Sequence, residues 1–243
     1  MKVLITGASG KLGQELLKLF SNKLIPTHKE FDIINRIEVF GYIKKYKPNV
    51  IVHLAALTGI NQCEQDKELA WNTNVEGTRN LIDACKMYNP KIYFVYMSTP
   101  CVFSGIEGNY NEDSIPYPKH FYGLTKLLGE VIVRNNMLFK YLIVRGNFVP
   151  KKKWMYPKAF SDRYGTYLFA HQLARAIKDV IDKKMLGIVH LVGERKISMY
   201  ELAKMCPDSD DVLPMTLKEY QGPPLTVDMS LSSKRWKKYK IEE

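Results

Sequence analysis

KVLIT, a short apolar run at residues 2–6, gives way at once to T-G-A-S-G-K-L-G, which sets Gly7, Gly10 and Gly13 three apart. A helical pattern then runs through Leu12, Leu16, Leu19 and Phe20. Strand, glycine loop and helix in this order give each glycine a separate task. Gly7 allows a tight turn, Gly10 lets a pyrophosphate approach the main chain, and Gly13 lets the helix close on the strand. The helix N-terminus, with its free amides and the positive end of its dipole, then faces the phosphates. The spacing is GxxGxxG, distinct from the more common GxGxxG. Gly7, Ser9, Gly10, Lys11, Leu12 and Gly13 are therefore candidate dinucleotide contacts.

Beyond this opening, strand-like and helix-like segments alternate. LIPTH reads as a second strand, and 34–46 as a helix that Pro48 stops. NVIVHLAA reads as a third strand, and about 66–88 as a long helix closed by Asn89-Pro90. IYFVYMS is a fourth strand, FYGLTKLLGEVIVRN a helix and YLIVRGN a fifth strand. Such alternation predicts a parallel sheet covered by helices on both faces. After Asn147 the pattern changes. PKKKWMYPKAFSDRYG reads as a loop, 169–182 as a helix and GIVHLVG as a strand. Residues 198–205 read as a short helix with Ser198 as N-cap and Glu201 three later. Residues 207–226 read as irregular, and SLSSKRWKKYKI as a last helix. The expected organisation is a dinucleotide-binding domain over 1–148. A small substrate lobe over 149–243 is interleaved with the last strand and helices of the core.

The formal charge of +11 favours anionic partners. The basic clusters at Lys151–Lys153 and in SKRWKKYK come without any helix-turn-helix, zinc-finger or RNP pattern, so no nucleic-acid partner is expected. Cys63, Cys85, Cys101 and Cys206 form no CxxC pair, and no histidines are spaced as a metal pair. Free thiols, no metal and a cytoplasmic location are the expectation. No apolar stretch is long enough to span a bilayer, so no membrane association is expected.

In FYGLTK, Tyr122 and Lys126 are four apart and share one helix face. Bringing a tyrosine from a pKa of ~10 to about 7 takes roughly 4 kcal/mol, part of which a neighbouring lysine cation supplies. YxxxK alone also marks many solvated helix faces. Its company here is more specific: TGASGKLG, NVIVHLAALT, NTNVEGT, MSTPCVFSG, YNEDSIPYP, FYGLTKLLGE and VRGNF occur in that order from Met1 to about Asn147. With these motifs the chain resembles the extended short-chain dehydrogenase/reductases, and within them the dTDP-4-dehydrorhamnose reductase-like group. A looser likeness continues through SDRYGTYLFAHQLARAI.

The resemblance implies a Rossmann-type, doubly wound α/β fold. It implies a reductase using NADP, with NAD as the alternative, on a keto sugar, a 4-keto-6-deoxy nucleotide sugar. It puts Thr99, Tyr122 and Lys126 in the catalytic set: Tyr122 as proton donor to the carbonyl, Thr99 bonding the same oxygen, Lys126 holding the nicotinamide ribose and lowering the tyrosine pKa. Asp32 and Ile33 fall by the adenine, and Ala55, Ala56 and Thr58 along the dinucleotide. Asn74 is an anchor beneath the site, whereas His53 is a hydrogen-bonded strand residue. Thr99, Cys101 and Phe148 are the substrate candidates, Phe148 as an aromatic platform. Lys29 is placed to neutralise a 2′-phosphate; in the other reading Lys29 is a surface lysine and Glu30 holds the ribose. A homodimer is compatible with the likeness.

Three features depart from the group's pattern. Pro100 and Cys101 replace an Asp-Tyr pair, the segment between Val149 and Ala170 is short, and Leu225-Thr226 replaces Arg-Pro. Two other activities stay open: an epimerase of the same fold, and a non-catalytic dinucleotide-binding regulatory subunit. Dehydration is disfavoured, because Pro100 stands where a dehydratase of this fold carries an acid.

Overall fold

Apolar residues on both faces of successive strands determine the architecture, which was described from a computed structural model covering residues 1–136 and 140–242. The elements run β1 (Val3–Thr6), α1 (Lys11–Leu17), β2 (Lys23–Leu24), α2 (Arg36–Tyr46), β3 (Val50–His53), α3 (Ile60–Gln65), α4 (Lys67–Trp71), a π turn (Asn72–Glu76), α5 (Gly77–Tyr88) and β4 (Tyr93–Ser98). They continue with α6 (Phe121–Arg134), β5 (Lys140–Arg145), β6 (Phe148–Val149), β7 (Lys158–Phe160), β8 (Tyr164–Gly165), β9 (Leu168–Phe169) and α7 (Ala170–Asp182). Last come β10 (Gly187–His190), β11 (Ile197–Ser198), α8 (Met199–Lys204), β12 (Leu213–Met215) and β13 (Asp228–Met229).

Six strands form one sheet in the order β10-β5-β4-β3-β1-β2, and every neighbouring pair is parallel. Side chains alternate between two cores, as a period of two requires. Val3, Ile5, Val50, Val52, Val95, Leu142, Val144 and Val189 face α1 and α7. Leu4, Ile51, Phe94, Tyr96 and Ile143 face α2, α5 and α6 through Val39, Ile43, Leu81, Ile82 and Val133. The sheet is thus doubly wound, with its order reversing between β1 and β3. In open sheets of this kind ligands bind at such a reversal, beyond the carboxyl ends of the strands.

Local chemistry accounts for most boundaries. Asn35 caps α2, its side chain accepting from the amides of Ile37 and Glu38 at 3.1 and 3.3 Å, and Lys47 ends it in a left-handed conformation before Pro48. Ser198 and Glu201 form the reciprocal capping box expected at α8. The long helix expected over about 66–88 is present as α4, the π turn and α5.

Several expectations differ from what is observed. The second strand is only two residues long, since Pro26 denies the run an amide donor two residues later. The stretch 150–165, expected to be a loop, contains β7 and β8, and β12 in the expected irregular segment pairs with β7. No last helix forms over 230–241. Its apolar residues serve separate clusters: Trp236 and Tyr239 pack on the sheet core, Leu231 beside Phe103, and Ile241 beside Phe169. Only an extended chain reaches all three, and Tyr239 bonds Val192 and Glu194 through its main chain. α7 and β10 belong to the core although they follow residue 149.

Candidate active site

Thr6, His53 and Ser98 end three parallel neighbouring strands, so the loops that follow them share one edge of the sheet. The first holds the glycines. Gly7 has φ +67°, and a Cβ there would lie 2.6 Å from the Ala55 amide nitrogen, so the turn and the loop after β3 touch through bare main chain. A Cβ on Gly13 would sit 2.7 Å from the Cα of Ala8. Gly10 is the N-cap of α1 and no side chain caps that helix. The first-turn amides of Lys11, Leu12 and Gly13 have no carbonyl available within the helix. Ser9, Gly10 and Lys11 are exposed, whereas the Leu12 side chain is buried in the core and leaves only its main chain for a ligand.

Asn74, in the π turn, ties this edge together. Its Oδ1 accepts from the Leu57 amide at 2.8 Å; its Nδ2 donates to the Leu57 carbonyl and the Thr125 hydroxyl, both at 2.9 Å. The loop carrying Ala55, Ala56 and Thr58 is thereby fastened to α6. His53 is closed off, with Nδ1 2.7 Å from the Thr6 hydroxyl and Nε2 3.1 Å from that of Thr78. Burial and the Lys126 charge push its pKa down to about 3, so it is neutral in the ordinary pH range.

Thr99 and Tyr122 are neighbours, and Lys126 lies one turn further along α6. Thr99 follows β4 and accepts from the Cys101 amide at 3.2 Å, capping a short 3-10 turn over Pro100–Val102. Its side chain lies close enough to Tyr122 to lower the phenol's pKa. Burial is the larger effect, and the Cys101 and Cys63 thiols add to it, so the Tyr122 pKa is raised overall. This corrects the expectation of a depressed tyrosine. Lys126 is buried, its Nζ 4.1 Å from the centroid of the Tyr96 ring. Burial pulls its pKa down to about 7, against the opposing pull of Glu130.

The remaining candidates are spread more widely. Lys29 is exposed in the Thr27–Glu30 turn. Glu30 is engaged locally, its Oε2 accepting from the amide and hydroxyl of Thr27 at 2.9 Å each. Asp32 accepts from the Ile34 amide at 3.0 Å, and Ile33 is buried in the core under α5. Cys101 is buried with its Sγ 3.7 Å from Met229 Sδ, and burial raises its pKa. Phe148 packs on the α1/α7 core, while its neighbour Val149 faces the cluster that holds Tyr122 and Cys101.

Two features escaped the sequence reading. Glu130, one turn beyond Lys126, makes a buried two-pronged ion pair with Arg145 at 2.8 and 2.6 Å and accepts from Ser98 at 2.5 Å. The spacing of 122, 126 and 130 was the signal available, as was an arginine closing the apolar run YLIVR. The second is His120, the N-cap of α6, whose position directly before FYGLTK was visible.

The sequence profile of the RmlD substrate binding domain matches residues 1–223. The chain belongs to this family. All the residues named above as candidates lie within the matched stretch. A dTDP-4-dehydrorhamnose reductase of Aggregatibacter actinomycetemcomitans is 31% identical over 230 residues, which is 83% of this chain and 76% of that protein. The methionine adenosyltransferase 2 subunit beta of Xenopus laevis is 28% identical, over 86% of this chain and 72% of its own. Among solved structures, the dTDP-4-dehydrorhamnose reductase of Bacillus anthracis, in complex with NADP, superposes with a TM-score of 0.84 at 27% identity, covering 96% of this chain and 91% of that one. The family's fold is therefore that of this chain. Among the described residues no helix is long and apolar enough to cross a membrane, and no cluster of three or more His, Cys, Asp or Glu side chains could hold a metal ion.

Proposed function

We propose that the protein is an NAD(P)-dependent reductase of the short-chain dehydrogenase/reductase type, which reduces the keto group of a 4-keto-6-deoxy nucleotide sugar. The observation that carries this is the closeness of Thr99 to the Tyr122 phenol, with a buried Lys126 one helical turn along α6. Kinship with named dTDP-4-dehydrorhamnose reductases supports the substrate class, and the NADP complex of the Bacillus anthracis relative supports the cofactor. Residues 1–148 then bind the dinucleotide and 149–243 supply the substrate lobe.

The residues fit a dinucleotide. The uncapped first turn of α1 offers amides at the sheet's reversal point, and Gly7 and Gly13 leave bare main chain where a side chain would intrude. Gly7, Ser9, Gly10, Lys11, Leu12 and Gly13 hold the pyrophosphate. Asp32 and Ile33 flank the adenine, and Ala55, Ala56 and Thr58 line the path to the nicotinamide. Lys29 stands free to pair with a 2′-phosphate, which favours NADP; Glu30, already bonded by Thr27, is poorly available to a ribose. The bound cofactor supplies a hydride to the carbonyl carbon. Tyr122 gives its phenolic proton to the carbonyl oxygen, so that hydride and proton together make the alcohol. The raised Tyr122 pKa suits this direction, because a donor must hold its proton at neutral pH. Thr99 bonds the same oxygen, and Lys126 holds the nicotinamide ribose and, when protonated, offsets charge on the phenolate. Cys101 borders the sugar as a neutral thiol, whereas Phe148, expected as an aromatic platform, is turned to the α1/α7 core.

Incubation with NADPH and a panel of keto-sugar nucleotides, following nicotinamide absorbance and products, tests the reading. Tyr122→Phe should lower turnover roughly 10²–10⁴-fold with NADPH affinity almost unchanged. A variant as fast as the parent would refute the assignment. The likeness to the methionine adenosyltransferase subunit supports a second reading, a dinucleotide-binding regulator. Binding of NADPH without turnover of any keto sugar would favour it.

A further inference from the structure

Among the described residues two buried side-chain polar atoms lack a hydrogen-bond partner, Nε2 of His120 and the hydroxyl of Tyr167. Both lie around the same phenol. The His120 ring lies nearly parallel to that of Tyr122, 11° between planes and 6.0 Å between centroids, and Tyr167 packs in the apolar cluster that also contains Tyr122 and Cys101. Native proteins seldom leave buried polar atoms unpaired without a functional reason.

The tautomer of His120 follows from its other nitrogen. As N-cap of α6 its Nδ1 accepts from the Gly123 amide at 3.1 Å, so Nδ1 presents a lone pair. Burial and the Arg163 charge hold the imidazole's pKa below its ordinary value, against the pull of Glu64. The ring is therefore neutral, and its one proton sits on Nε2. The helix cap fixes a buried N–H donor beside Tyr122 with nothing to donate to.

We propose that His120, through Nε2–H, is a substrate-binding donor that takes a sugar hydroxyl oxygen flanking the carbonyl protonated by Tyr122. The inference rests on the reductase reading above. It makes His120 a specificity element: a substrate with that hydroxyl satisfies the donor, and an analogue without it leaves the N–H buried and unpaired.

His120→Asn separates the two tasks of the residue. Asparagine is a good N-cap and keeps an acceptor for the Gly123 amide, but its amide ends short of the Nε2 position. With dTDP-4-dehydrorhamnose and NADPH, the variant should lose about 10-fold in kcat/KM, chiefly through KM. Melting temperature and NADPH affinity should match the parent. His120→Ala should lose the same factor and melt lower, because it also removes the cap. Nitrogen-15 spectroscopy of the free protein at pH 7 should find the His120 proton on Nε2. An Asn variant with parental kcat/KM, or a proton resident on Nδ1, would overturn the assignment while leaving the reductase reading intact. A parent that reduces none of the keto sugars would refute the reductase reading, and the inference with it.

Discussion

Replacing Lys126 by methionine should abolish turnover and at the same time stabilise the protein. Lys126 is 3% exposed and its pKa is down to about 7. The unfolded chain returns it to about 10.4. Below pH 7 both states carry the charge, and the folded one bears the full cost of that depression, roughly 4–5 kcal/mol. Methionine escapes that cost. The cation–π contact with Tyr96, worth about 2 kcal/mol in a desolvated setting, is lost, and a sulfur–aromatic contact returns about 1 kcal/mol. The net gain at pH 6 is about 3 kcal/mol, which for a chain of this size raises Tm by roughly 6–12 °C. Between about pH 7 and 10 the unfolded state holds a proton that the folded parent has released, so parental stability climbs with pH. The variant's advantage should shrink over that range and be nearly gone by about pH 10.5. Calorimetric melting of both proteins at pH 6, 8 and 10 reads the difference. A methionine variant that melts at or below the parent at pH 6 would show that burial is not what depresses this lysine.

Glu130→Ala should cost about 3–5 kcal/mol in urea unfolding, because it leaves Arg145 charged and unpaired at 1% exposure. The same change removes the charge that supports the Lys126 cation, so the Lys126 pKa should fall further and the pH–rate profile should move with it. Gly13→Ala places a methyl against the main chain of Gly7 and Ala8. It should weaken NADPH binding at least 10-fold by calorimetry and cost about 1–3 kcal/mol in stability.

Sequence pattern revealed the sheet and the site to different depths. The core strands and α6 were legible because their apolar periods are long and uninterrupted. The glycine loop was legible because its spacing follows a strand and opens a helix. The short strands of the lobe were not, since β7, β8, β12 and β13 have two or three residues each and pair across long sequence separations. The tail SLSSKRWKKYKI looked helical through its capping serine; tertiary contacts overrode that propensity by drawing Trp236, Tyr239 and Ile241 to different clusters. Phe148 illustrates the limit of a motif. One position in the sequence decides which face of a two-residue strand a ring occupies, and Phe148 points to the sheet core while Val149 faces the Tyr122 cluster.

The charge arrangement along α6 explains why one helix carries so much of the proposed chemistry. Tyr122, Lys126 and Glu130 recur every four residues, which aligns them on one face and at increasing depth. Glu130 is fixed by Ser98 at the end of β4 and by Arg145 at the end of β5, two neighbouring strands in register at those positions. Arg145 in turn lies 3.5 Å from His190 Nε2, and the His190 amide donates to Glu112, which also takes the Ser233 hydroxyl and the Lys234 amide. A polar line thus runs from Glu130 beneath the sheet edge to the C-terminal segment, through side chains and the His190 and Lys234 amides. Buried and anchored at both ends, Glu130 can oppose the desolvation of Lys126 without moving. That balance leaves the lysine pKa at about 7, which suits the proposed hold on a ribose hydroxyl in either protonation state, as the raised Tyr122 pKa suits the proposed proton donor.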